Sequence, residues 1–348
     1  MNIDTVGWDI GGAHLKAVAL HEDGRIIRVT QLPCPLWQGL DRLREALLDI
    51  STDIPFDSVR RHAVTMTGEL ADCFPDRRAG VTALIRAARD WIGPDVLFFA
   101  GRSGLLPTHR IQNTDVGRIG SANWLASAEW AAARCPKALL IDTGSTTTDL
   151  TLLMNGEVLA RGYTDHERLR YDELVYHGVV RTPVMTIAEC APFEGEWVTL
   201  MNEQFATAAD VYRLTGELPE HVDQHPPADG GGNDASCSIQ RLARMIGRDS
   251  YSAAQQRWVS LAHYLRERQI QRLGSAVSRQ ISRADDASGL ELVGAGVGRF
   301  LIRDIAARLR LGYKDATYWL HRETIGSHFD AADCLPAAAV AELGRTWR

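Results

Sequence analysis

Residues 9–20 read DIGGAHLKAVAL, and residues 142–153 read DTGSTTTDLTLL. Laid over one another, they place Asp9 on Asp142, Gly11 on Gly144, Gly12 on Ser145 and Leu20 on Leu153, a displacement of 133 residues between positions 9 and 142. In each copy an apolar strand ends in aspartate, a glycine turn follows, and a second apolar strand leaves it. Each second strand then meets a two-residue turn, Asp23-Gly24 in one copy and Asn155-Gly156 in the other. Such pairs supply the positive φ of a tight hairpin. A third strand follows in each, at 25–30 and 157–162. Solenoid repeats recur every ~20–50 residues, so a period this long predicts two similar lobes instead.

Outward from the first copy, residues 37–50 have helical spacing, with Leu40, Leu43, Leu47 and Ile50 on one face. Strands are expected at 60–67 and 96–100, and helices at 80–92 and 121–134. Outward from the second copy, strands are expected at 138–142, 149–154 and 290–294, and helices within 252–283, 298–311 and 336–343. The stretch 223–236, DQHPPADGGGNDAS, reads as a loop. The expected class is α/β, two lobes each with a mixed sheet flanked by helices. The expected partition is 1–135 and 136–348, with a substrate region inserted at about 165–250.

The duplicated turn suits an anion. Glycine permits positive φ and leaves backbone N–H groups unobstructed, and successive N–H groups form a nest for phosphate oxygens. Candidate phosphate-binding residues are Gly11, Gly12, Ala13, His14 and Lys16 in the first copy, and Thr143, Gly144, Ser145, Thr146 and Thr147 in the second. Asp9 and Asp142 are expected to face one gap and to hold magnesium, which takes one or two carboxylates plus waters and substrate phosphates. Residues 290–299, LELVGAGVGR, put Gly294, Gly296 and Gly298 between a strand and a helix, whose N-terminus favours an anion. A single such turn is more often only a hairpin; recurrence in order is what points to a cleft. No G-x-x-x-x-G-K-[ST] and no G-x-S-x-G occurs, which excludes a P-loop and speaks against a serine hydrolase.

The composition is that of a globular chain. It has 348 residues, 45% hydrophobic and 24% charged, with a net charge of −6. A nucleic-acid binder needs a basic stripe that this chain lacks. No apolar run approaches the ~18 residues of a membrane helix. Six cysteines without a C-x-x-C pair, behind an N-terminus that reads directly as a strand, lead us to expect a reduced cytoplasmic compartment. His221, Asp223, His225 and Asp229 fit no zinc spacing and read as loop polarity.

The three glycine elements, in this order, resemble the two phosphate motifs and the adenosine motif of the actin, hexokinase and Hsp70 ATPase superfamily. GWDIGGAHLK at 7–16, TMTGELAD at 65–72, SANWLA at 121–126, IDTGSTTTD at 141–149, GVVRTPV at 178–184, EQFATAADVY at 203–212 and RLARM at 241–245 more specifically resemble its hydantoinase A/oxoprolinase-like branch. Within that branch they are similar to the family linked to tetrahydromethanopterin- and methanofuran-dependent one-carbon transfer. The resemblance implies an actin-like, ribonuclease H-like fold. It also implies a transferase that displaces diphosphate from a furanylmethyl diphosphate with the phenol oxygen of tyramine or a glutamyl-tyramine. Asp9, Asp142 and Asp149 are candidate bases for the phenol. Thr67, Glu69, Asn123, Arg181 and Arg241 are weaker candidates for substrate contacts. Arg241 with Arg244 could equally decorate a helix surface, and Glu69 could equally be a cap. His14 stands where many archaeal relatives have Asn, in contact with substrate or in a structural hydrogen bond. The resemblance leaves open whether ATP binds and whether the chain forms a homodimer. An ATP-dependent kinase or amidohydrolase, and a nucleotide-binding protein without catalysis, are the alternatives.

Overall fold

Residues Thr5–Ile10 are buried at all six positions, so this strand must be covered on both faces, as in a layered α/β architecture. The computed structural model describes residues 3–320 and 327–348. In chain order the strands are β1 (Thr5–Ile10), β2 (His14–Leu20), β3 (Ile26–Pro33), β4 (Arg61–Met66), β5 (Leu97–Phe99), β6 (Leu105–Pro107), β7 (Lys137–Thr143), β8 (Thr148–Met154), β9 (Glu157–Val158), β10 (Leu174–Val175), β11 (Cys190–Phe193), β12 (Glu196–Thr199), β13 (Glu291–Ala295) and β14 (Gly312–Asp315). The helices are α1 (Asp41–Ser51), α2 (Arg77–Trp91), α3 (Val116–Ile119), α4 (Asn123–Ala132), α5 (Asp165–Tyr171), α6 (Val184–Ile187), α7 (Ala208–Thr215), α8 (Ala235–Met245), α9 (Gln255–Ile281), α10 (Arg299–Leu309) and α11 (Leu335–Thr346).

These elements form two compact units, each an α/β assembly around a mixed sheet. The first comprises Met1–Pro136, Leu153–Val158 and Asp315–Arg348; the second comprises Lys137–Leu152 and Leu159–Lys314. The division therefore differs from a cut at residue 135, because the C-terminal segment returns to the first unit. The reason lies in α11, whose residues 335–341 and Gly344 are all buried. A helix apolar on so many sides needs covering, and it packs on β1, β4 and β2.

The first sheet has the order β3-β2-β1-β4-β5-β6. β2 is antiparallel to β1 and β3, whereas β4 is parallel to β1 and β5 is parallel to β4. An antiparallel three-strand meander joined to parallel strands is the ribonuclease H-like order that the resemblance implies. Val6, Trp8 and Ile10 look to one face and share a core with Leu43, Leu47 and Ile50 of α1 and Val81 and Leu84 of α2. Thr5, Gly7 and Asp9 alternate to the other face, under α11. A Cβ on Gly7 would overlap the Ala337 carbonyl, and one on Gly344 would come 2.9 Å from Ala63 Cβ. Helix and strand backbones thus touch with no side chain between them.

The second sheet runs β10-β8-β7-β13-β14, with β9 also on β8. Taking β9, β8, β7, β13 and β14 in turn reproduces the order β3, β2, β1, β4, β5 of the first. β13 is parallel to β7. The expected strand at 157–162 is only Glu157–Val158; the rest of that edge of β8 is filled by β10, which pairs Leu174 with Asp149 and Val175 with Thr148. Helix α9 contributes Trp258, Leu261, Leu265, Leu273 and Val277 to the interior, and β11-β12 form a separate hairpin.

The hairpin turns behave as their residues require. Gly24 has φ 90°, Asn155 φ 56° and Gly156 φ 78°, the left-handed region in which Asn and Gly are tolerated. Gly11, Gly12 and Gly144 do not take positive φ, against expectation. At Gly11 and Gly12 the turn is closed by Gly11 N–H donating to the His14 carbonyl at 3.0 Å, and a Cβ on Gly11 would sit 2.9 Å from that oxygen. The residue is glycine for room, not for handedness.

Burial holds the His62 imidazole well below its ordinary range, to about 4. Trp8 Nε1–H donates to His62 Nδ1 at 3.1 Å, which a protonated Nδ1 could not accept. A depressed folded-state value means that the stabilisation is complete above the unfolded value of about 6.5 and is lost as pH falls towards 4. We predict that unfolding free energy falls by up to about 3 kcal/mol from this group between pH 6.5 and 4. In His62→Phe the part of that slope due to residue 62 should vanish, as chemical denaturation across that pH range would show.

Candidate active site

Strand β1 delivers Asp9 to the head of the first turn. Its carboxylate is 2% exposed as a residue and lies 3.6 Å from Lys16 Nζ, its cross-strand neighbour on β2. Gly11, Gly12 and the buried Ala13 and His14 form the turn; Gly12 and Ala13 carbonyls accept from Leu36 N and Cys34 N at 3.0 and 2.8 Å. A Cβ on Gly12 would meet nothing within 4 Å. Thr67 follows β4, its N–H donating to the Ile10 carbonyl at 2.9 Å. Gly68 packs against the Gly11 backbone.

Glu69 is fully buried, and Ser121 Oγ donates to its carboxylate at 2.7 Å. Gly120 bridges to Met66, and Asn123 opens α4 just beyond. The TMTGE and SAN stretches, more than fifty residues apart in sequence, therefore meet beside the first turn. Glu69 is neither a helix cap nor an exposed wall; it fastens these two segments together.

The second unit repeats the plan with different support. Asp142 and Thr143 end β7, and Gly144 N–H donates to the Thr147 carbonyl at 2.8 Å. Beneath this turn runs the segment 178–182. Val179 N–H reaches the Gly144 carbonyl at 3.1 Å, and Val180 and Arg181 N–H both reach the Ser145 carbonyl, at 3.0 and 2.9 Å. A Cβ on Gly178 would overlap the Ser145–Thr146 peptide. Thr148 Oγ1 donates to the His177 carbonyl at 2.6 Å. Arg181 is thus fixed against the turn by its own backbone, and burial lowers the pKa of its guanidinium. Burial also holds the His177 imidazole to about 4. No sequence signal marked His177 as part of this turn.

The glycine-rich stretch after β13 serves β7 directly. Gly296, at φ 77°, leaves no room for a Cβ against the Thr143 carbonyl and Asp142 Oδ1. Gly298 N–H donates to the Thr143 carbonyl at 2.8 Å, and a Cβ there would lie 2.5 Å from Thr143 Cγ2. Gly294 faces the Tyr313 ring. All three glycines are dictated by packing within the second unit.

Two candidate residues are engaged elsewhere. Asp149 accepts from Arg168 Nη1 at 2.7 Å, and the Arg168 side chain is 2% exposed. Arg168 also donates to the Glu173 carbonyl, whose carboxylate in turn takes the N–H groups of Arg161 and Gly162. Arg241 is fully buried, not on a surface, and its guanidinium is held by Asp210, Asp229 and the Gly232 carbonyl. It ties α8 to α7 and to the 223–236 loop. His221, Asp223, His225 and Asp229 form no metal cluster among the described residues; Asp223 pairs with Arg213 and Asp229 with Arg241 and Arg244.

The hydantoinase/oxoprolinase family profile matches residues 60–318. Over 250 residues the chain is 31% identical to the (4-{4-[2-(gamma-L-glutamylamino)ethyl]phenoxymethyl}furan-2-yl)methanamine synthase of Methanocaldococcus jannaschii, covering 72% of this chain and 73% of that protein. It belongs to this family. A synthase of the same name from Methanococcus vannielii is 26% identical over 186 residues, 52% of this chain and 81% of its own. The chain is therefore an enzyme of the branch that contains these synthases. Among solved structures, component A of the Acidaminococcus fermentans (R)-2-hydroxyglutaryl-CoA dehydratase aligns over 99% of this chain and 98% of its own, at 11% identity and a TM-score of 0.48. Among the described residues no helix is long and apolar enough to cross a membrane.

Three substitutions test these contacts. Gly178→Ala should cost about 1–3 kcal/mol, since the turn or the segment beneath it must move. Arg241→Met should cost about 3–5 kcal/mol by stranding buried Asp210, whereas Arg244→Ala, at an exposed pair, should cost less than about 1 kcal/mol. Urea unfolding of the three variants measures all of these.

Proposed function

We propose that this enzyme joins a phenol to a furanylmethyl group, displacing diphosphate, in the biosynthesis of a methanofuran-type cofactor. The observation that carries the proposal is the 31% identity to a synthase whose printed name describes a phenoxymethyl ether on a furan. Three of the stretches that the resemblance rests on assemble around the second turn, which supports the same reading: 178–184 lies beneath it, 203–212 pairs with 180–184, and 241–245 anchors 210.

In this proposal the carbon–oxygen bond to diphosphate breaks and the leaving group takes the electron pair. The phenol oxygen of tyramine or a glutamyl-tyramine forms the new carbon–oxygen bond and gives up its proton. Negative charge grows on the diphosphate oxygens, so donors fixed in place beforehand lower the barrier. The backbone turns at Gly11–Gly12 and Gly144–Thr147, the hydroxyls of Ser145, Thr146 and Thr147, Lys16 and Arg181 are the proposed donors. A phenol with a pKa near 10 needs an acceptor for its proton; Asp142 and Asp9 are the proposed acceptors, with Asp149 assigned to hold β8 through Arg168.

Asp9 and Asp142 are also the proposed magnesium carboxylates. The buried Asp9 carboxylate is the kind of oxygen ligand a hard cation takes, and a cation held there would, with Lys16, offset charge on the leaving diphosphate. A second reading is an ATP-dependent amidohydrolase, whose substrate class is the one the hydantoinase/oxoprolinase profile names.

One assay separates the two. With magnesium, the protein should release diphosphate only when a furanylmethyl diphosphate and a tyramine compound are both present. Release without the phenol, or none with both, overturns the transferase. ATP hydrolysis that disappears in Asp9→Ala establishes the second reading in its place.

A further inference from the structure

In the register of the first sheet, Lys16 on β2 stands opposite Asp9 on β1, and Asp9 stands opposite Thr65 on β4. Directly opposed residues project to the same face of a sheet. The row Lys16–Asp9–Thr65 therefore crosses three adjacent strands on the face that α11 covers. Helix α11 meets the row only with its N-terminal end. Its Gly344 lies over Thr5 and Ala63, and Ala337 and Ala341 lie over Gly7, so the helix runs back along β1 and its N-terminal end reaches the row. Cys334 at the N-cap feels the charges of Lys16 and Asp9, and burial pushes its thiol up.

Thr65 is 0% exposed, and its hydroxyl has no hydrogen-bond partner among the described residues. A buried hydroxyl left unsatisfied is destabilising. Valine has the same shape and would avoid that cost. Thr65 contributes nothing to the core that valine would not, yet it stands next to the buried Asp9 in a row that continues to Lys16 and that the N-terminal end of α11, which favours negative charge, reaches.

We infer that Thr65 is a positioning residue of the ligand site: its hydroxyl hydrogen-bonds a water or phosphate oxygen in the coordination sphere of a divalent cation held at Asp9. This rests on the proposal above that Asp9 serves magnesium and diphosphate. Thr67, two residues on and against Gly11, then extends the same edge of β4 along the first turn.

The test is the melting temperature and the isothermal titration of the full chain with Mg2+ alone and with Mg2+ plus inorganic diphosphate. Wild type, Thr65→Val and Thr65→Ser are compared. Thr65→Val should melt at a higher temperature than wild type without ligand, because the orphan hydroxyl is gone. It should also bind Mg2+–diphosphate about tenfold more weakly. Thr65→Ser should keep wild-type affinity. Equal affinity in wild type and Thr65→Val, with both binding, overturns the role of Thr65 and leaves the diphosphate reading standing. No binding of either probe by wild type overturns both. A Thr65→Val protein that melts lower without ligand shows that the hydroxyl has a structural partner, and this too overturns the inference.

Discussion

Backbone meets backbone at Gly7, Gly178 and Gly296, and the placement of both aspartates follows from those contacts. Gly7 lets α11 lie directly on β1. Gly178 lets the 178–182 segment press against the Ser145–Thr146 peptide. Gly296 lets the chain after β13 close on Asp142 and Thr143. Each contact removes a side chain from between two polar backbones. Packing at interior density then leaves the turn no alternative position, so the N–H groups at each turn are set before any ligand arrives. Preorganisation of that kind is what a site for a charged leaving group requires.

The two units reach the same turn by different means. In the first, a helix N-terminus and a row of polar residues lie behind Asp9. In the second, a buried ladder of segments lies behind the threonine-rich turn: 178–182 under 143–148, then 206–209 against 180–184, then α8 fixed to α7 through Arg241 and Asp210. Charged residues that look in sequence like ligands for a substrate, Arg241 and Asp149 among them, belong to this ladder or to the Arg168–Glu173 network. Arg168 and Arg241 are buried in these ion pairs, so losing an acidic partner strands the guanidinium. Severity of a substitution there reports on the scaffold. Severity at Lys16 or Thr65 reports on what the turn holds.

A second consequence concerns the glycines. The motif reading puts Gly11, Gly12 and Gly144 in left-handed turns, yet within the three glycine elements and their hairpins it is Gly24, Asn155, Gly156 and Gly296 that take positive φ. Gly11 is small because the His14 carbonyl and Gly68 crowd it. Gly12 alone opens onto free space, which is where an anion could approach a backbone. The same residue type thus answers three separate demands along one motif.

By itself the sequence determined the duplicated strand-Asp-turn-strand unit, the α/β class, the two tight hairpins and the main strands and helices flanking each copy, but not β6, β10, β11, β12 or β14, nor α3 and α5 to α8. Those features depend on local alternation, on period and on turn residues within a few positions of one another. The family was also legible, in stretches such as TMTGELAD and GVVRTPV. Only the tertiary structure decided what those stretches do, because their partners are far away in the chain: Glu69 with Ser121, Gly178 with Ser145, Arg241 with Asp210. It also returned α11 to the first unit, where the glycine at position 7 meets the alanines at 337 and 341. Whether an arginine is a ligand or a staple, and whether a threonine is core or site, depends on burial and on which groups face it, and burial is a property of the folded whole.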